Sequence, residues 1–324
     1  MNYTQMLLKR ALAVFAALGA FTGGPVQAQT SGTDLKTDIT LVTAGTITQG
    51  EPVVLKYDVK NVAEVKRYIG LKEDSSDWLS LSLVDASGHA VAGHSVPTAR
   101  QKDSENNLGS LTSAFSTPGL IGTHSTLEGY VVASQWFPTP AAGKYTLVAH
   151  VHLFYRVIPA SAPIDVEVDE QDISFPLTVT KADATRLQSA AQSLEKTILQ
   201  SGSTASVAKR NMLIEALFSM PSAQAGPSWQ ALLSDPSSSF WVLSEAVEDL
   251  VWLKPAAAPD ILMGMLLKPS PAQDKYIKSA VINGMARTYR GGDSVLRQHI
   301  KALYASHGEP LGEIVFAPGR ADGN

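Results

Sequence analysis

Up to Thr180, apolar and polar side chains alternate along short runs. Beyond it, the apolar spacing widens to three and four residues. In PVVLKYDVKN, Val53, Leu55, Tyr57 and Val59 share one face, and DISFPLTVT groups Ile173, Phe175, Leu177 and Val179 in the same way. DITLVTA, KRYIGLK and TLEGYVVASQWF add further strands, as does WLSLSLVDASGHAV, which turns at Ser87-Gly88. Seven or more short strands, each with one buried face, predict an antiparallel β-sandwich. Pro176 suits an edge position, where a missing donor harms no ladder.

The run AAGKYTLVAHVHLFY (141–155) is the longest of these strands. Its Gly-Lys-Tyr entry matches a tyrosine corner, in which the residue two beyond the tyrosine points inward. Parity then sends Tyr145, Leu147, Ala149, Val151 and Leu153 into the core. Val148, His150, His152 and Phe154 point out, with Tyr68 of KRYIGLK on the same side.

After Thr180, Leu187, Ala190, Ala191, Leu194 and Ile198 line one helical face, behind a capping-box spacing at Thr180-Lys181-Ala182-Asp183. Ser270-Pro271-Ala272-Gln273 and Asp293 read as further helix starts. LIEALFSMP from 213, AVEDLVWLKP from 246 and AVINGMARTY from 280 recur at spacings of 33 and 34 residues. Each is followed by a second apolar helix, containing Trp229, Leu262 or Leu296 in turn. Stacked helix pairs of an α-solenoid are the expectation, with an irregular bundle as the alternative. Core packing is the expectation for Trp229, Trp241 and Trp252.

Glu51-Pro52-Val53-Val54-Leu55, a strand led by Trp78, Ala142-Gly143-Lys144-Tyr145 and FPLTVTKADATRLQSAAQSL together resemble a group of uncharacterised exported bacterial proteins. These pair an immunoglobulin-like sandwich with a HEAT-like helical domain. The resemblance implies a fold and no activity. The organisation expected is a multidomain β + α chain. Residues 1–28 form a signal peptide, 29–180 an immunoglobulin-like antiparallel β-sandwich, 181–308 an all-α HEAT-like domain and 309–324 an irregular tail.

The leader reading rests on Lys9 and Arg10, an apolar run from Ala11 to about Phe21, and the small-x-small site Val26-Gln27-Ala28. That run is short for a bilayer core of ~30 Å. Periplasmic or secreted location follows, with no membrane span once the leader is removed. The chain has no cysteine, which excludes thiol nucleophiles, thiolate zinc sites and disulfide staples. Residues 29–180 carry ten basic against seventeen acidic side chains, and 181–324 fourteen against thirteen. Neither half has the basic stripe that nucleic acid demands.

Candidate chemistry is sparse. His150 and His152 share a strand face and could bind one metal, but a site needs a further ligand that the strand does not supply. Asp165, Glu167 and Asp169 could hold calcium, or could form a solvated edge that discourages strand pairing. Gly93-His94-Ser95-Val96-Pro97 approaches a nucleophile elbow, with proline where glycine is needed. No metal or cofactor is expected. Tyr68, Val148, His150, His152 and Phe154 are read as a surface covered by the 95–118 loop, by the helical domain or by a partner. The expected function is non-catalytic binding of a protein or peptide in the cell envelope. The alternatives are an envelope hydrolase, metal-dependent or not, and a protease inhibitor using the 95–118 loop.

Overall fold

A computed structural model of the chain describes residues 28–29, 35–64, 67–69, 79–93, 120–133, 136–157, 167–201, 205–235, 237–267 and 275–307. Within them the protein is mixed, with ten strands in two sheets followed by seven helices. The strands are β1 (Ala28–Gln29), β2 (Leu35–Leu41), β3 (Thr46–Thr48), β4 (Val54–Asn61), β5 (Arg67–Ile69), β6 (Leu79–Asp85), β7 (Leu120–Ile121), β8 (Thr126–Val132), β9 (Gly143–Val157) and β10 (Glu167–Thr180). One sheet runs β1-β2-β4-β8 and is antiparallel throughout. The other runs β3-β10-β9-β5-β7, with β6 also paired to β9. It is mixed, because β3 lies parallel to β10.

The predicted alternation sets what lies between the sheets. Leu35, Ile39, Leu55, Val59 and Val131 from the first sheet meet Leu81, Leu83, Leu147, Ala149, Val151, Ile173 and Phe175 from the second in one buried core. The Tyr145 hydroxyl donates to the Ala141 carbonyl at 2.9 Å, the bond expected of a tyrosine corner. The turn at Ser87-Gly88 is present, with Gly88 at φ 84°, a left-handed conformation that glycine adopts without strain. Among the described residues, β10 is paired on its β3 side only from Thr178 to Thr180, so Pro176 keeps the edge position expected of it. The Thr178 amide points toward Gly45 on the β3 side. Pro176, two residues earlier, directs its missing donor the same way, ahead of the point where the β3 pairing begins at Thr178.

The helices are α1 (Ala184–Ser201), α2 (Val207–Ser219), α3 (Ser222–Ser234), α4 (Phe240–Leu253), α5 (Ala258–Leu267), α6 (Lys275–Gly291) and α7 (Ser294–His307). Leu187, Ala190, Ala191, Leu194 and Ile198 are the buried face of α1, as the spacing predicts. Its cap is Asp183, whose carboxylate accepts the Arg186 amide at 3.0 Å. Thr180, the expected cap, instead donates its hydroxyl to the Ile47 carbonyl, because it still belongs to the β10 ladder. Asp293 caps α7 through the Leu296 amide at 2.8 Å. Ser270 to Gln273 lie outside the described residues. The helix α4 packs on α2 at one side and α6 at the other, while α3, α5 and α7 form a second row with α1.

Candidate functional site

Two surfaces bring chemistry-bearing side chains together, one on the second sheet and one at an end of the helical rows. On the sheet, β9 runs between β6 and β10. His150 stands opposite Asp172 of β10 and Ser80 of β6, which places Ser82 diagonally beside it. The His150 ring spans the gap on both sides. Nδ1 is 2.7 Å from the Asp172 carboxylate and Nε2 is 2.8 Å from the Ser82 hydroxyl. A carboxylate only accepts, so Nδ1 carries a hydrogen, and in the neutral imidazole Nε2 then accepts from the Ser82 hydroxyl. The imidazole is held from three strands whose inward neighbours Leu81, Leu83, Ala149, Val151 and Ile173 are all buried.

This arrangement confirms part of the parity reading. Leu147, Ala149 and Val151 are buried, while Val148 and His150 are half-buried on the outer face. The side chains of Tyr68, His152, Phe154, Glu167 and Asp169, and Asp165 entirely, lie outside the described residues, as do Ser95 and the 95–118 loop. The backbone register nonetheless separates Tyr68 from His150. Tyr68 pairs with Arg156, six residues along β9, or roughly 20 Å at the rise of a strand. His152 stands opposite Glu170. The acidic segment from Glu167 is fully paired to β9, so on that side it is no free edge. Among the described residues, no three His, Asp or Glu side chains come together to hold a metal ion.

Among the described residues, the helical rows pack away from the His150 face. They pack on the far side of the strand layers, where Val54 and Val132 are buried among them, flanked by Val42 and Tyr130. Beside that seam Lys56 reaches Asp58 at 2.8 Å and Glu128 at 2.9 Å. Burial opposes its charge, but the two carboxylates outweigh this and hold its pKa above the ordinary lysine value. Lys56 in turn holds the Glu128 carboxyl below its usual range. These ions are matched and mark a joint between elements.

A second surface lies at the N-terminal end of the first helical row. Asn211 of α2 donates to Glu245 of α4 at 3.2 Å, and both are buried, which fixes the register of the two helices. One turn earlier on the same faces stand Val207 and Trp241, and these are 58% and 54% exposed. Trp241 therefore departs from the expected core packing. It is in the first turn of α4, where Phe240 turns inward and packs edge-on against it at 5.0 Å. Trp229 meets the expectation. It is buried, stacked on Phe218 at 5.4 Å, and donates to the Leu217 carbonyl at 2.9 Å. Lys254 lies 5.2 Å over its ring, and burial pushes the amine's pKa down. Trp252 is half-buried, its indole donating to Glu248 at 3.0 Å.

Sequence reasoning missed Ser82 and Asp172 as partners of His150. The alternation in LSLSLVD does put Ser80 and Ser82 on the polar face, and Asp172 has outward parity in DISFPLTVT. Which of these residues face one another depends on strand order and register, which no single strand encodes.

No family model matches the chain, and no curated protein matches it. The structure places it among mixed proteins of sheets and helices, with no described helix long and apolar enough to cross a membrane.

Proposed function

We propose that the chain is an exported binding protein of the cell envelope, in which an immunoglobulin-like sandwich carries a HEAT-like helical domain that docks a protein or peptide. The observation carrying this reading is the exposed pair Val207 and Trp241, held at equivalent positions of successive helix pairs by the buried Asn211–Glu245 bond. An exposed tryptophan beside an exposed valine gives an apolar anchor at a helix-row end. Tryptophan is the side chain that partners most often bury as such an anchor. The ligand that fits is a polypeptide segment presenting apolar side chains, since the first helical row offers a repeating edge. Export is the reading of the charged start, apolar run and cleavage pattern of residues 1–28, with periplasmic or secreted location following from it.

The test is site-specific photo-crosslinking in the native host. A photoreactive residue in place of Trp241 or Val207 should give the same discrete adduct. The same residue in place of exposed Lys144, on β9, should give none. Absence of an adduct at both helical positions, or equal adducts at all three, overturns the reading.

A further inference from the structure

We propose that Ser82 is a nucleophile toward activated carboxylic esters, with His150 as its general base and Asp172 as the residue that positions the base. This goes beyond the binding role and stands on a different face, the outer side of β6, β9 and β10.

Three observations carry it. The first is order. A hydroxyl, an imidazole and a carboxylate lie in one hydrogen-bonded line, with Ser82 on Nε2 and Asp172 on Nδ1. That order matters because the carboxylate fixes the hydrogen on Nδ1 and leaves the Nε2 lone pair aimed at the serine. The second observation is rigidity. The three residues come from three adjacent strands in fixed register, over a buried apolar layer. The ladder fixes the spacing of the three residues, and the two hydrogen bonds orient the ring between its partners. The third is access, since the His150 side chain is 32% exposed and a substrate can approach from solvent.

The chemistry balances without a co-reactant other than water. The Ser82 oxygen bonds to the ester carbonyl carbon while its proton passes to His150 Nε2. The tetrahedral adduct expels the alcohol oxygen, which takes that proton back. Water then adds to the acyl-serine as His150 again accepts and returns a proton, releasing the carboxylic acid and restoring the hydroxyl. Asp172 steadies the transient imidazolium. Its side chain is 68% exposed, and water screens such a charge. The substrate class is accordingly esters with good leaving groups, and amides lie outside it.

The full chain is treated with a fluorophosphonate probe and, separately, with p-nitrophenyl acetate. One probe mass per chain should appear on the peptide containing Ser82, and Ser82→Ala should abolish it. His150→Gln should slow ester cleavage by roughly 10²-fold or more and remove the sigmoidal pH dependence that a histidine base imposes. Asp172→Asn should lower the rate while keeping a histidine-type pH profile, a result that mere loss of folding would not give. Circular dichroism matching the parent shows that each variant has folded, and crosslinking through position 241 should be unchanged in all three. Equal labelling of Ser82→Ala, label on another serine, or ester cleavage unaffected by His150→Gln overturns the proposal.

Discussion

At the scale of single residues, Gly129 shows how one missing side chain shapes the core. It stands directly opposite Tyr57 in the β4–β8 ladder, and a Cβ there would fall 2.1 Å from the tyrosine ring. The ring therefore lies across the β8 backbone as part of the core between the sheets. Gly129→Ala must displace the ring or the strand, and overpacking of this kind costs about 1–3 kcal/mol. Burial also pushes the Tyr57 phenol up to about 12 from its usual 10. The fold favours the neutral phenol, so stability is whole below pH 10 and is lost as pH rises toward 12. In Gly129→Ala the opened ring should both lower the melting temperature and titrate closer to 10. A variant that melts and titrates like the parent would show that the ring does not depend on this glycine.

At the scale of elements, the turn between β3 and β4 is tied to the start of α1. Glu51, almost fully buried, accepts two bonds from the Arg186 guanidinium, at 3.0 and 2.8 Å, and one from the Thr48 amide at 2.7 Å. The Thr48 hydroxyl donates to the Lys181 carbonyl at 2.9 Å, and Gly50, at φ 97°, lets Pro221 and Leu187 close over the turn. Glu51→Ala strands the Thr48 amide and the Arg186 charge. Breaking a fully buried pair costs about 3–5 kcal/mol, but Arg186 is about a third exposed, so about 1–3 kcal/mol is the expected loss in chemical denaturation. An unchanged midpoint would remove the clamp from the account. Much of this level was legible in the sequence. Alternation located β4, β6, β9 and β10, and helical spacing named the buried face of α1 residue by residue. Glu51 and Arg186 were not legible as a pair, because they are distant in sequence and meet only once the helices dock. The row Ser82, His150 and Asp172 failed for a related reason: parity shows which way each side chain points but not which strands are neighbours.

At the scale of the molecule, β4 and β8 belong to two cores at once. Leu55 and Val131 point into the core between the sheets, whereas their neighbours Val54 and Val132 point out and are buried beneath the helices. Alternation would leave Val54 and Val132 to solvent. The helices remove that exposure, and α2 lies directly against β8. Strands and helices sharing two elements in this way should unfold together, so calorimetry of the parent should show a single transition. Val132→Asp places a carboxylate at a fully buried position facing the helices, and an unpaired buried charge costs several kcal/mol or forces the surfaces apart. The core between the sheets is untouched, because Val131 and Leu55 face away. The variant should thus show two transitions, one from the strands and one from the helices, with far-ultraviolet dichroism largely kept at low temperature. If Val132→Asp instead melts in one transition at the parent temperature, the two cores are not coupled through this seam.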